Sequence, residues 1–161
     1  MADWSTPATI LGAALKARGY SLALAESCTG GMVAQAITSV AGSSTWFDRG
    51  FVTYSNAAKV EMLGVSELTL AQFGAVSEQT AAEMATGALK NSHADIAGSI
   101  TGIAGPDGGT PDKPVGMVCF AWGGHKYPIK TATQYFNGSR EEIRQQAAEF
   151  LMARLLTTLN N

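Results

Sequence analysis

The sequence predicts an α/β protein: a three-layer α/β/α sandwich whose mixed sheet is mostly parallel and contains one antiparallel strand. Segments of helical periodicity alternate with short runs that are apolar on both faces, as buried parallel strands are. Near the C-terminus, Gly123-Gly124 separates two apolar runs, which indicates a hairpin and hence one reversed strand. Glycine-rich stretches at 26–31 and 101–110 each follow an apolar strand, so we expect both at the same edge of the sheet.

Capping residues and periodicity place the individual elements. The first helix is expected to run from an N-cap at Ser5 to Arg18. Ser77 caps a longer helix, and Ser139 with Glu142 forms the capping box of the last one. The other expected elements are strands over 21–25, 51–54, 96–100, 115–122 and 127–136, and helices over 29–40, 57–63 and 68–73.

Length and composition narrow the class of protein. The 161 residues suit a single domain over 1–161, and the net charge of −2 without a basic stripe argues against nucleic acid as a partner. The chain has no apolar run of about 18 residues and no signal peptide at its start, so we expect no membrane association and a cytoplasmic location. Two cysteines make no disulfide framework, and no cluster has metal-ligand spacing, so neither a metal nor another cofactor is expected.

The stretch from Leu22 to Gly31 is the strongest candidate for a reactive centre. An apolar strand leads directly into small hydroxyl residues, a thiol and two glycines, followed by a helix start with free backbone N–H groups. Ser27 is either a nucleophile or a helix cap, and Thr29 competes for the cap. Cys28 is an alternative nucleophile, although a small buried apolar role is commoner for such a residue.

A serine nucleophile needs a base, and the chain offers few candidates. His93 and His125 both lie in polar segments that are typical of solvated residues, so a Ser-His-Asp triad is poorly supported. Lysine is the other known partner of a catalytic serine. Lys59 follows Tyr54 by five residues, in the first turn of an expected helix, where burial would lower its pKa. An ordinary surface lysine is the alternative, and Tyr54 is either core packing or a hydrogen-bond partner of the site.

Anion binding has weaker candidates. The glycines of both loops permit close backbone approach to a phosphate, yet neither loop matches a Walker or dinucleotide motif. Arg140 lies in the first turn of a capped helix, where the helix dipole disfavours a cation, which favours a role with a ligand. Glu26 either orients a neighbour or stabilises a turn.

Four motifs taken together resemble the CinA C-terminal-domain family, the nicotinamide-nucleotide amidases. In chain order they are Ala25-Glu-Ser-Cys-Thr-Gly-Gly31, Tyr54-Ser-Asn-Ala-Ala-Lys59, Thr101-Gly-Ile-Ala-Gly-Pro-Asp-Gly-Gly109 and Phe136-Asn-Gly-Ser-Arg140. The resemblance covers essentially the whole chain. It implies a three-layer sandwich, a homodimer, and hydrolysis of the carboxamide of nicotinamide mononucleotide to nicotinate mononucleotide and ammonia, as part of pyridine-nucleotide salvage. The pyrophosphatase domain of the larger relatives is not expected in this chain.

The resemblance also implies roles for individual residues. Ser27 matches the family nucleophile, Lys59 its general base, and Tyr54 the tyrosine that supports this pair. The positions expected to hold the oxyanion, the phosphate or the ribose are Thr29, Gly30, Gly31, Thr101, Gly102 and Arg140. Two alternatives stay open: a hydrolase that uses Cys28, and a non-catalytic nucleotide-sensing or protein-docking module linked to competence or DNA-damage functions.

Overall fold

The computed structural model describes the backbone of residues 5–160 and the side chains of residues 6–160. The expected capping side chain of Ser5 and the chain start used to exclude a signal peptide therefore lie outside the described residues. Within this range the elements, in chain order, are α1 (Ser5–Arg18), β1 (Leu22–Glu26), α2 (Met32–Thr38), β2 (Phe47–Val52), α3 (Asn56–Leu63), α4 (Glu67–Phe73), α5 (Glu78–Lys90), β3 (Ile96–Gly102), β4 (Met117–Gly124), β5 (Tyr127–Tyr135) and α6 (Arg140–Leu159).

The described strands form one sheet in the order β2-β1-β3-β4-β5. Strand β1 runs parallel to both β2 and β3, whereas β4 is antiparallel to both β3 and β5. Strand β5 therefore runs in the same direction as β1, β2 and β3, and β4 is the single reversed strand. The predicted fold class is confirmed.

The two faces of the sheet carry side chains of different size. Towards α1, α2 and α6 the strands present large residues such as Leu24, Ile100 and Phe120. Towards α3 and α5 they present mainly alanines, for example Ala25 and Ala97. Because interiors are close-packed, small side chains let a helix lie close to the sheet.

Three predicted elements have wrong boundaries, each for a local reason. Helix α2 starts at Met32 rather than at 29, because Gly31 has a φ of 103°, which a helix does not allow. Strand β2 begins at Phe47 and ends before Tyr54, since its polar middle lies at an exposed sheet edge.

The third wrong boundary concerns the glycine pair predicted as the hairpin turn. Gly123 and Gly124 lie inside β4, and the turn is formed by His125 and Lys126. A Cβ on Gly124 would lie 2.2 Å from the carbonyl oxygen of Asp95. The glycines therefore permit close packing of backbones rather than a change of direction.

Helices α3 and α5 touch through a glycine. A Cβ on Gly87 of α5 would lie 2.0 Å from the carbonyl oxygen of Leu63, at the end of α3. No side chain fits there without moving one helix. This contact sets the position of α3, the helix that carries Lys59.

Gly87→Ala is expected to lower the free energy of unfolding by about 1–3 kcal/mol, the usual cost of overpacking. Helix propensity alone would favour alanine by about 1 kcal/mol, so the sign of the change reports the clash with Leu63. Urea denaturation measures it. Gly50→Ala is the control, because its added methyl would meet neighbours no closer than 3.6 Å. A Gly87→Ala variant that is more stable than the parent would show that the two helices separate freely.

Candidate active site

The carboxyl ends of β1, β2 and β3 meet at one edge of the sheet. The N–H of Ser27, just after β1, donates to the carbonyl of Ile100 in β3 at 3.0 Å. The N–H of Thr53, just after β2, donates to the carbonyl of Glu26 at 2.8 Å. The stretches at 26–31 and 101–110 therefore share one edge, as predicted, and the segment after β2 joins them.

A pocket of about 220 Å³ opens at this edge. It is lined by Ser27, Cys28, Tyr54, Asn56, Lys59, Ala75, Val76, Thr101, Gly102, Ala104 and Arg140. Of the residues predicted for the site, Thr29, Gly30 and Gly31 do not line it. A larger surface groove of about 460 Å³ between α3 and α5 contains none of the predicted site residues.

Ser27 and Lys59 are in direct contact beneath this pocket. The Nζ of Lys59 lies 3.0 Å from the Oγ of Ser27. The same Nζ lies 2.9 Å from the carbonyl oxygen of Thr53 and 3.3 Å from that of Tyr54. Lys59 is 1% exposed. It reaches Ser27 because the Ser55 hydroxyl caps α3 and starts the helix immediately after the end of β2.

The three partners of Lys59 are all oxygen atoms, namely two backbone carbonyls and the Ser27 hydroxyl. A protonated amine donates to all three, whereas a neutral amine donates to the two carbonyls and accepts the hydroxyl hydrogen of Ser27. Burial lowers the pKa of Lys59 below its ordinary value of 10.5. Within residues 5–160 the one ion pair joins Asp48 and Arg49, so no described carboxylate stabilises a charge on Lys59. The arrangement allows Lys59 to accept the proton of Ser27.

The environment of Cys28 disfavours the thiolate, whereas the environment of a reactive cysteine favours it. It is 6% exposed, and burial raises its pKa to about 12. The nucleophilic form of cysteine is the thiolate, which is therefore scarce at neutral pH. Of the two candidate nucleophiles that line the pocket, the geometry favours Ser27.

Glu26 shapes the turn that follows Ser27. One of its carboxylate oxygens accepts hydrogen bonds from the Thr29 hydroxyl at 2.7 Å and from the Val33 N–H at 3.0 Å. The other accepts from the Ala34 N–H at 3.0 Å. Glu26 thus caps α2, whose own N-cap residue, Gly31, has no side chain to do so. The Thr29 hydroxyl donates to Glu26, and Thr29 does not line the pocket.

Tyr54 and Arg140 form the outer part of the site. The Tyr54 hydroxyl accepts from Nη2 of Arg140 at 3.2 Å, and Nη1 of Arg140 donates to the Gly105 carbonyl at 2.7 Å. Tyr54 therefore meets Lys59 through its backbone carbonyl and not through its hydroxyl. The Thr101 hydroxyl donates to the carbonyl of Ala75 at 2.8 Å and so ties the loop before α5 to β3.

Sequence reasoning missed two residues that hold the site together. Thr53 contributes a backbone carbonyl, for which a sequence carries no signal. Arg144 donates to the carbonyl oxygens of Cys28 and Thr29. A signal for Arg144 existed, because it follows Arg140 by one helical turn and therefore shares its face of α6.

The comparisons with known proteins identify the family of this chain. The family model of the CinA C-terminal domain matches residues 5–159. The chain belongs to the CinA C-terminal domain family.

Two relatives carry the name nicotinamide-nucleotide amidohydrolase PncC. The protein from Enterobacter agglomerans is 62% identical over 140 residues, which cover 87% of this chain and 85% of the relative. The protein from Escherichia coli strain K12 is 57% identical over 145 residues, which cover 90% and 88%. Among solved structures, the competence/damage inducible protein CihA from Agrobacterium tumefaciens is 44% identical with a TM-score of 0.94, covering 100% of this chain and 98% of that one.

Two properties of residues 5–160 bear on membrane crossing and on metal binding. None of the helices in this range combines the length and apolarity that a membrane crossing requires. The same range contains no group of three or more His, Cys, Asp or Glu residues that could hold a metal ion.

Two isosteric substitutions test how the site is held. Thr29→Val removes a donor from the buried Glu26 carboxylate and is expected to lower the free energy of unfolding by about 1–3 kcal/mol. The Thr53 hydroxyl is buried and has no hydrogen-bond partner among residues 5–160, so Thr53→Val removes no described hydrogen bond and is expected to be neutral or stabilising. Thermal and urea denaturation of both variants measure the difference. An equal loss of stability in Thr29→Val and Thr53→Val would contradict the assigned hydrogen bonds.

Proposed function

We propose that this protein hydrolyses the carboxamide of nicotinamide mononucleotide to nicotinate mononucleotide and ammonia, with Ser27 as nucleophile and Lys59 as general base. The observation that carries the proposal is the 3.0 Å contact between Ser27 Oγ and a buried lysine that has no described counterion. The names of the relatives at 57–62% identity support the substrate.

The first half-reaction forms an acyl-enzyme. Neutral Lys59 takes the proton of Ser27 while Oγ attacks the carboxamide carbon, which gives a tetrahedral intermediate with a negative oxygen. Protonated Lys59 then donates to the departing nitrogen. The carbon–nitrogen bond breaks, ammonia leaves, and an ester to Ser27 remains.

The second half-reaction restores the enzyme. A water molecule gives a proton to Lys59 and attacks the ester carbon. The intermediate collapses with release of the carboxylic acid, and Ser27 Oγ regains its proton from Lys59. These steps use only Ser27, Lys59 and water, so the scheme calls for no metal or organic cofactor.

We assign stabilisation of the oxyanion to the turn after Ser27, but to a different residue of this turn from those expected from the sequence. That expectation placed the donors at 29–31. Thr29 is fully buried, and the Gly30 N–H already donates to the Ser27 carbonyl at 3.0 Å. The N–H of Cys28 belongs to a residue that lines the pocket. We assign the oxyanion contact to Cys28 N–H.

Arg140 is assigned to the 5′-phosphate of the substrate. Its guanidinium carries five N–H donors, and the described contacts with Gly105 and Tyr54 use two of them. The remaining donors and the charge suit a phosphate at the pocket mouth. Binding energy from the phosphate would then position the carboxamide against Ser27.

Four broader assignments complete the proposal: the homodimer and the salvage role rest on the family resemblance, and the single domain and the cytoplasmic location rest on length and composition. We propose that the chain acts as one domain over 1–161, as a homodimer, and in the cytoplasm as part of pyridine-nucleotide salvage. The residues assigned to the proposed chemistry all belong to one chain.

Substitution of adjacent residues tests the nucleophile. Ser27→Ala is expected to lower ammonia release from nicotinamide mononucleotide by at least about 10³-fold. Lys59→Arg should have a similar effect, because arginine stays protonated and cannot act as base. Cys28→Ala is the matched control and should retain turnover.

The outcomes separate the three hypotheses. Loss of release in Cys28→Ala but not in Ser27→Ala would make the cysteine the nucleophile. A wild-type protein that releases no ammonia, yet is stabilised against heating by the nucleotide, would favour the non-catalytic module.

The pH dependence of kcat/KM tests the base. Only the neutral amine of Lys59 accepts a proton, so the rate is expected to rise with pH as Lys59 deprotonates. Because its pKa is lowered, the rate should level off below pH 10.5. His93 and His125 are both exposed, and replacing both with Gln should leave this rise in place. Disappearance of the rise in that double variant would remove Lys59 from the role of base.

A further inference from the structure

Arg144 holds the turn that follows Ser27 from the side of α6. Its Nε donates to the carbonyl of Cys28 and its Nη2 to the carbonyl of Thr29, each at 3.0 Å. The guanidinium is half-buried. Two successive peptide groups directly after the nucleophile are therefore held by one planar side chain.

Two other contacts also hold this turn: the Thr29 hydroxyl donates to the Glu26 carboxylate at 2.7 Å, and the Gly30 N–H donates to the Ser27 carbonyl at 3.0 Å. Strand β1 has ended at Glu26 and α2 has not begun, so regular backbone hydrogen bonds are lacking. The Thr29 carbonyl also accepts the N–H of Met32 at 3.0 Å. For the Cys28 carbonyl, Arg144 is the one hydrogen-bond partner found among residues 5–160. Arg144 thus supplies the described hydrogen bond that fixes the Cys28 carbonyl, while Glu26 holds the side chain of Thr29.

The next two residues add conformational freedom that must be restrained. Gly30 and Gly31 have φ values of 57° and 103°, a region that glycine enters freely. A Cβ on Gly30 would lie 3.5 Å from Nη2 of Arg144, so the arginine packs directly over this glycine. Without Arg144, the turn would have more accessible conformations.

The chemistry of the contact requires an arginine. A guanidinium presents several N–H donors in a fixed planar fork, which can reach two neighbouring carbonyls at once. A lysine ammonium at the same position is a single point on a flexible stem. Arg144 does not line the pocket, so it is placed to act on the turn and not on a ligand.

We propose that Arg144 is a positioning residue for the reaction: it fixes the Cys28–Thr29 peptide and thereby the placement of Ser27 Oγ and Cys28 N–H. This inference rests on the proposed function. A displaced nucleophile slows the chemical step, and a misplacement of about 1 Å can reduce a rate by about 100-fold. Ground-state binding of the substrate at Arg140 is unaffected.

Steady-state kinetics with nicotinamide mononucleotide test this role. Arg144→Gln is expected to lower kcat per folded molecule by about 10- to 100-fold while KM changes by less than about threefold. Arg144→Lys should fall between the parent and Arg144→Gln. Arg154→Gln is the matched control, because Arg154 lies on the same helix and stacks over Phe150, away from the turn. Its kcat should equal that of the parent.

A measurement that needs no turnover separates this proposal from the proposed function. Amide hydrogen exchange over residues 27–33 is expected to be faster in Arg144→Gln than in the parent and in Arg154→Gln. If the wild-type protein released no ammonia, the proposed function would fail. Faster exchange in Arg144→Gln would still show that Arg144 holds the turn after Ser27.

Three results would overturn the proposal. Unchanged exchange together with unchanged kcat in Arg144→Gln would show that the turn is rigid without the arginine. A raised KM with unchanged kcat would make Arg144 a substrate ligand. A loss of stability that accounts for all of the lost activity, with normal kcat in the folded fraction, would make its role purely structural.

Discussion

The site depends on one constraint: the buried amine of Lys59 has no countercharge within the described part of the chain. Taking a lysine out of water disfavours its charged form, and Lys59 meets two carbonyl oxygens and a serine hydroxyl instead of a carboxylate. The environment therefore favours the form that can accept a proton. A carboxylate at the same distance would hold the charge on the amine and remove its basicity.

The architecture around Lys59 serves to bring this amine to Ser27. Parallel strands place the ends of β1 and β2 side by side, and α3 starts at once after β2, so that its first turn points back to β1. Small residues on the α5 face of the sheet, and Gly87 at the crossing with α3, let the helices pack closely. The packing that stabilises the fold also buries the lysine.

The turn after Ser27 is held by charges of opposite sign on its two sides. The Glu26 carboxylate accepts from the N–H groups of α2 and from the Thr29 hydroxyl, whereas the Arg144 guanidinium donates to two carbonyls. The negative carboxylate binds N–H groups, and the positive guanidinium binds carbonyl oxygens. A segment outside the regular helices and strands thus acquires a defined geometry next to the Ser27 hydroxyl.

Much of the fold is determined locally and is readable from the sequence. Capping at Ser77 and Ser139, apolar strands and the glycine-rich stretches predicted the α/β/α sandwich and the edge that carries the site, because each signal acts through near neighbours. Tertiary structure alone decided the rest. It showed that Glu26 caps α2 and that Tyr54 meets Lys59 through its backbone carbonyl. It also showed that Arg144 reaches the turn after Ser27. The sequence cannot state such contacts, because the carbonyl that a side chain meets depends on how elements far apart in the chain pack together.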